Sequence, residues 1–227
     1  MYATRTQLPA HALRTPPRGE LESRAGDTHA GVRYALGEAA WARLPHAVQA
    51  RFADCLTQAE YVGSFEIVRA SVAGRLLSVV CRLIGTPIAP YTGTNVPAAV
   101  RVYADGAGGV VWERRYHFPG RKECVVSSTK RCDEHGTLIE MLPFGLSMPL
   151  EVFERAGVLH FLSTGYYFNC LGMRLAVPRL LPPGRTHVAH IDEGFGWFRF
   201  TMTVTHQWLG EVYFQTGRFR AAASEAL

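Results

Sequence analysis

The stretch that decides the fold covers residues 186–219 and reads THVAHIDEGFGWFRFTMTVTHQWLGEVYFQTGRF. From residue 197 its apolar and polar residues alternate, and one face carries Phe198, Phe200, Met202 and Val204. A period of two is typical of a β-strand with one buried face. Polar and aromatic residues interrupt the alternation at positions 206–208, and Leu209-Gly210 predicts a bend. The alternation then resumes, so the stretch predicts a hairpin on one side of a core or cavity.

Composition fits one globular domain. The chain has 227 residues, of which 48% are hydrophobic and 19% charged. A chain of this length can bury a full core or enclose a pocket. The net charge is +5, and nearly all the basic residues are arginines. Because they are scattered and not clustered with stacking aromatic residues, we expect no nucleic-acid partner.

Cysteine usage and the first residues favour a cytoplasmic protein. The five cysteines form no CxxC pair, and the first twenty residues contain no apolar signal-peptide core. Reduced cysteines packed as small hydrophobic residues are therefore expected. No run reaches the roughly 18 apolar residues of a transmembrane helix, so we expect no stable membrane insertion.

The chain divides into a predicted mobile leader (1–33), a single β-rich domain (34–219) and a tail (220–227). Residues 34–57 have a helical apolar period that Pro45 should interrupt. Residues 71–84 predict a further helix with a wide apolar stripe and two arginines on another face. That helix fits either a core position or the surface of a membrane.

After Pro90 nearly every segment alternates like a strand, and seven or eight strands joined by short turns are predicted. Helices followed by sequential strands predict an α+β fold. In detail, we expect N-terminal helices and an antiparallel meander that curls into a barrel or half-barrel around a helix. Barrels of this kind often hold an apolar ligand.

Several segments resemble a known family when they are taken in order. Residues 171–182, LGMRLAVPRLLP, resemble an L-G-x-x-L-x-x-P-x-x-L-x-P signature, and residues 200–219 resemble the closing strand pair of the same family. The family's opening is matched by Leu36-Gly37, Trp41 and Leu44-Pro45. A later turn is matched by Gly85-x-Pro87, and one strand is matched by Trp112-Glu113-Arg114. The chain thus resembles a bacterial domain family of unknown function. Members of that family are often fused behind a saccharopine-dehydrogenase-like or epimerase-like NAD-binding domain.

The resemblance implies a standalone version of a normally fused domain and supplies no catalytic residues. No GxGxxG follows a predicted strand, so we expect no cofactor, and an NAD-dependent enzyme would be a partner in trans. Departures from the family pattern collect in the closing hairpin, at Thr201, His206, Gln207, Trp208, Glu211 and Arg218. They indicate either a specialised site or drift in a surface turn.

Acid–base chemistry has the best candidates. Glu140 lies in the otherwise apolar segment TLIEMLP. If it points inward, it must be paired, with Arg114 or Lys122 for example, or its pKa must rise. An exposed Glu140 paired across a strand is the alternative. The nearest metal-ligand grouping is His187, His190 and Asp192, but His187 would lie on the other strand face, so no metal is expected.

We therefore predict a cofactor-independent cyclase, isomerase or rearrangement catalyst of specialised metabolism, acting on a hydrophobic small molecule in a barrel pocket. The predicted catalytic residues are Glu140, His190, Arg114 and Tyr166. The predicted ligand-binding residues are Trp112, His206, Trp208, Phe200 and Phe214. An ordinary aromatic core is the alternative for the aromatic residues. A non-catalytic lipid or small-molecule carrier and an accessory domain of an NAD-dependent dehydrogenase are the alternative functions, and a homodimer is left open.

Overall fold

The computed structural model of the chain describes residues 28–52, 58–76, 88–133, 135–170, 173–178 and 184–223. Most of the predicted leader, the last four residues of the predicted tail, and parts of the 71–84 and 171–182 segments lie outside this range. Three short helices come first: α1 (Thr28–Leu36), α2 (Glu38–Trp41) and α3 (His46–Phe52). The predicted interruption at Pro45 is confirmed, since α3 begins directly after it. Residues 72–76 are also helical.

The remaining elements are strands, with a 3-10 turn at Pro143–Gly145. The strands are β1 (Gln58–Ala70), β2 (Gly93–Ala104), β3 (Val110–Tyr116), β4 (Cys124–Cys132), β5 (Leu138–Met141), β6 (Leu146–Arg155), β7 (Val158–Ser163), β8 (Tyr167–Cys170), β9 (Met173–Ala176), β10 (Arg185–Gly194), β11 (Trp197–His206) and β12 (Gly210–Ala221).

Ten strands close into an antiparallel barrel in the order β5-β4-β3-β2-β1-β12-β11-β10-β7-β6, and β6 pairs back onto β5. Strands β8 and β9 extend the sheet from β6. The predicted α+β fold with a barrel around a helix is therefore wrong, because antiparallel strands make up 60% of the structure and the helices are few and short. Buried and mainly apolar side chains of the ten barrel strands fill the interior and leave no room for a helix.

The hairpin of β11 and β12 lies where the chain closes on itself. Its predicted inner face is confirmed, since all four of its apolar residues (Phe198, Phe200, Met202 and Val204) are buried. Strand β12 then pairs with β1, the first strand of the chain. A bulge between Phe65 and Ile67 displaces Glu66, whose carboxylate binds Arg199 on β11 at 2.5 Å.

The backbones of β1 and β12 approach closely at two glycines. A Cβ atom on Gly63 would lie 1.9 Å from the carbonyl oxygen of Arg218, and one on Gly217 would lie 2.5 Å from that of Ser64. Real Cβ atoms do not approach other atoms this closely, so glycine is required at this seam.

No helix in the described part of the chain is long and apolar enough to cross a membrane.

Candidate functional site

Four polar side chains meet inside the barrel. Arg114 on β3, Lys130 on β4, Glu140 on β5 and His190 on β10 are each between 4% and 8% exposed. Strands β3, β4 and β5 are neighbours, and residues 130 and 140 are direct partners in the β4–β5 register. Because their side chains share the inner face, the Lys130 ammonium reaches the Glu140 carboxylate at 3.1 Å.

The Lys130–Glu140 pair is charged although it is buried. Burial by itself would raise the pKa of Glu140, but the positive charges of Lys130 and Arg114 outweigh it and lower that pKa. Burial lowers the pKa of Lys130, and the attraction of Glu140 partly offsets this effect. A carboxylate and an ammonium therefore face each other in a low-dielectric interior.

Arg114 has no comparable partner. No hydrogen bond joins its guanidinium to any other described residue, and its nearest aromatic contact is the ring of Phe200, 5.6 Å from the guanidinium carbon. The group faces the cavity described below. Among the described residues that line the cavity, two cations therefore oppose one carboxylate. An uncompensated buried charge costs several kcal/mol, so this guanidinium is suited to an anionic partner.

His190 is held neutral beside these cations. Burial is the main cause that lowers its pKa well below the ordinary value, and the charges of Arg51, Lys130 and Arg114 act in the same direction. The ring packs edge-on against Phe52 and Phe200, with centroids 4.9 Å and 5.4 Å apart. Its Nδ1 atom is buried and has no hydrogen-bond partner among the described residues. The imidazole therefore keeps a nitrogen available for a ligand.

The cavity beside this cluster measures about 20 Å³. A smaller one of about 10 Å³ adjoins it and shares Trp112, Arg114, His190 and Phe200. A space of this size holds about one water molecule. The barrel is therefore filled by side chains, and a larger ligand has to displace some of them. The lining residues include Phe52, Trp112, Met148, Phe161, Thr186, Val188, Phe200 and Met202.

The remaining predicted site residues lie elsewhere. Tyr166 donates a hydrogen bond to the Gly184 carbonyl at 2.9 Å and contacts the Thr186 hydroxyl at 3.0 Å. It therefore contacts a residue that lines the cavity without lining the cavity itself. His206 is buried against the ring of Trp208, whereas Trp208 itself is exposed at a turn. Phe214 lies under the Arg69 guanidinium, 4.6 Å from it.

The structure thus brings together five of the nine predicted residues: Glu140, His190, Arg114, Trp112 and Phe200. Lys130 was not among the predicted site residues. It pairs with Glu140, for which Lys122 had been considered as a partner. Its position could have been found, because the alternation of β4 places it on the same face as Val126 and Ser128. Phe52 belongs to the apolar helical period of residues 34–57, but that pattern does not predict that its ring reaches the cavity from the end of α3.

The grouping that was considered for a metal is split by the sheet. His187 points outward and contacts His160, with 3.1 Å between ring nitrogens, while His190 points inward. Within the described ranges, no three His, Cys, Asp or Glu side chains are arranged to hold a metal ion.

A comparison with models of protein families matches residues 44–219 to the family described as Domain of unknown function (DUF4166). The match confirms the predicted resemblance to a domain family of unknown function. The predicted fusion with NAD-binding domains stays a prediction. Searches of curated proteins and of solved structures find no match.

Proposed function

The chain belongs to this family of unknown function, and we propose that its barrel binds a hydrophobic small molecule through an acidic or carbonyl group. The observation that carries the proposal is the buried Arg114 guanidinium, which faces the cavity without an acceptor among the described residues. Guanidinium groups bind the oxygens of carboxylates in a fixed two-pronged geometry. The aromatic and aliphatic lining suits the apolar body of such a ligand.

The proposed chemistry is a cofactor-independent isomerisation. Arg114 and Lys130 bind a carbonyl oxygen, and His190 removes a proton from the adjacent carbon. The electron pair moves onto the oxygen, and the two cations stabilise the enolate that forms. Return of the proton to a different carbon completes the shift of a double bond. No atom or electron is gained or lost, so the step requires no oxidant or reductant.

Glu140 has a supporting role in this scheme. It was predicted as a proton-transfer residue, but its lowered pKa makes it a weak base. Its carboxylate keeps Lys130 charged and in position. His190 is the stronger candidate for the base. Burial is the main cause that lowers its pKa, and a bound anion would offset the further lowering by the neighbouring cations.

A carrier without chemistry is the second candidate. The lowered pKa values of both Glu140 and His190 favour it, since neither group is a strong base with the charges that surround it. Incubation of a bound ketone in D₂O distinguishes the two functions. An isomerase exchanges protons next to the carbonyl for deuterium and a His190→Gln variant does not, whereas a carrier exchanges none.

The binding step is tested by thermal unfolding with hydrophobic carboxylic acids and their matched alcohols. A ligand at a hundred times its Kd stabilises a protein by about 2.7 kcal/mol, or roughly 5–10 °C for a chain of this size. We expect acids to raise the Tm of the wild type and to have little effect on Arg114→Met. Native mass spectrometry of protein purified from its host would identify a ligand that co-purifies.

Arg115→Met is the matched control. Arg115 is the next residue on β3, points outward and pairs with Glu113 at 2.7 Å, so its loss should leave the response to acids unchanged. An equal response of the Arg114→Met and Arg115→Met variants, or equal binding of acids and alcohols, would contradict the proposal. The NAD-dependent partner enzyme and the homodimer stay predictions.

A further inference from the structure

One end of the barrel exposes four large apolar side chains. Val72 and Leu76 are 85% and 71% exposed, and Trp208 and Leu209 are 69% and 52% exposed. We call these four residues the Trp208 patch. They come from two connections, the helical segment 72–76 and the β11–β12 turn. Monomeric proteins expose single apolar residues often, but a group at one place usually marks an interaction surface.

Backbone contacts hold the two connections side by side. The Ser71 amide donates to the Val212 carbonyl at 3.1 Å, and Ala70 pairs with Tyr213 in the β1–β12 register. Gly74 lies so close to Val212 that a Cβ atom there would be 1.9 Å from its carbonyl oxygen. The helical segment is therefore packed against the start of β12, immediately beside the turn that carries Trp208.

Basic residues border the patch. Arg69 is the next-to-last residue of β1 and binds Glu211 at 2.7 Å, and Arg75 lies between the two exposed residues of the helical segment. Arg185 pairs with Thr205 in the β10–β11 register and so lies at the same end. The Arg69–Glu211 pair and two further arginines thus lie at this end of the barrel, in a chain whose net charge is +5. Apolar side chains within a basic rim are complementary to an anionic lipid surface.

We propose that the Trp208 patch docks the barrel onto the surface of an anionic lipid bilayer. Trp208 and Leu209 enter the interface between headgroups and acyl chains, where the amphipathic indole ring is favoured. Val72 and Leu76 lie against the same surface, and the arginines contact the headgroups. The four side chains protrude from a turn and a short helical segment. This geometry suits insertion into a fluid interface better than contact with a flat protein surface. The inference does not depend on the ligand proposed for the interior.

The test is co-sedimentation of the 227-residue chain with vesicles of phosphatidylcholine alone or mixed with phosphatidylglycerol. We expect binding to the anionic vesicles that weakens at 0.5 M salt. We expect the double variant Trp208→Ser/Leu209→Ser to bind at least about tenfold more weakly. Tryptophan emission should shift to shorter wavelength on binding, since Trp41 and Trp112 are buried and the Trp197 ring already contacts the guanidinium groups of Arg218 and Arg220.

Phe195→Ser is the matched control. Phe195 is fully exposed in the β10–β11 turn, at the opposite end of β11 from Trp208. Its replacement should leave vesicle binding unchanged, and circular dichroism should show that all variants fold. The proposal is overturned if the wild type does not sediment with anionic vesicles, or if the double variant binds as tightly as the wild type. A wild-type dimer that the double variant loses, without vesicle binding, would make the patch a protein interface and also overturn it.

Discussion

Lys130 and Glu140 form an ion pair in a barrel that is otherwise lined mainly by aromatic and aliphatic side chains. Removing two charges from water costs several kcal/mol per ion, and their attraction repays this only in part. Apolar residues of similar volume would fill the same space at lower cost. The proposed ligand, which would need Lys130 beside Arg114, would account for the pair better than stability does.

This reasoning predicts unequal costs for the two halves of the pair. Glu140→Met leaves Lys130 and Arg114 buried without a counter-charge and should cost about 3–5 kcal/mol of unfolding free energy. Lys130→Met should cost less, because Arg114 still balances Glu140. The double variant should recover part of the loss from Glu140→Met. Urea unfolding measures all three, and a Glu140→Met variant as stable as the wild type would disprove the buried-charge account.

His190 makes the stability of the barrel depend on pH. The folded chain keeps His190 unprotonated below its ordinary pKa of 6.5, whereas the unfolded chain takes up the proton. The unfolded state thus binds more protons, so stability falls as the pH falls below 6.5. Between pH 7.5 and 5.5 this single group should account for about 1.4 kcal/mol.

Urea unfolding at both pH values checks this prediction. His190→Gln should lose about that much less stability than the wild type on acidification. The control is His117→Gln, which replaces a half-exposed histidine that directly follows β3. A wild-type loss that His190→Gln does not reduce would show that other groups determine the acid sensitivity.

At the level of elements, local patterns predicted individual strands well and their long-range pairing poorly. Alternation identified the inner face of β11 and placed Arg114 with Trp112 on the inner face of β3. Strand β1 pairs with β12, and β5 pairs with β6. These pairings depend on the register between two strands, which the sequence of either strand alone does not predict. The prediction of a helix inside the barrel was wrong for the same reason. Only the closed ring of paired strands shows that side chains already fill the interior.

The seam between β1 and β12 depends on the absence of a side chain at residue 63. Gly63→Ala would force a Cβ atom against the Arg218 carbonyl oxygen, a backbone atom that cannot move without breaking the pairing. We expect a loss of about 3 kcal/mol or more in urea unfolding. Gly165→Ala is the control, because its nearest neighbour would be a Tyr167 ring atom at 3.7 Å. Equal stability of the two variants would mean that the seam relaxes freely.

For the whole molecule, the proposed ligand would have to reach a cavity that holds about one water. The strands of the barrel are not all paired over the same length. Strands β1 and β2 share ten partner pairs, whereas β5 and β6 share three, one of which involves Pro149 and its missing N–H. This weak seam borders the site, since Glu140 and Met148 line the cavity and face each other across it.

We therefore expect the barrel to open first between β5 and β6. In native hydrogen–deuterium exchange, the amides of β5 should exchange at least about tenfold faster than those of β1 and β12, because β5 and β6 share only three partner pairs. A carboxylic acid that raises the Tm should slow exchange in β5 most, since Glu140 on that strand pairs with Lys130, which we propose as a ligand-binding residue. If the amides of β5 exchange as slowly as those of β1, the ligand would not enter between β5 and β6. Its expected route would then be past Phe52 of α3, which lines the cavity.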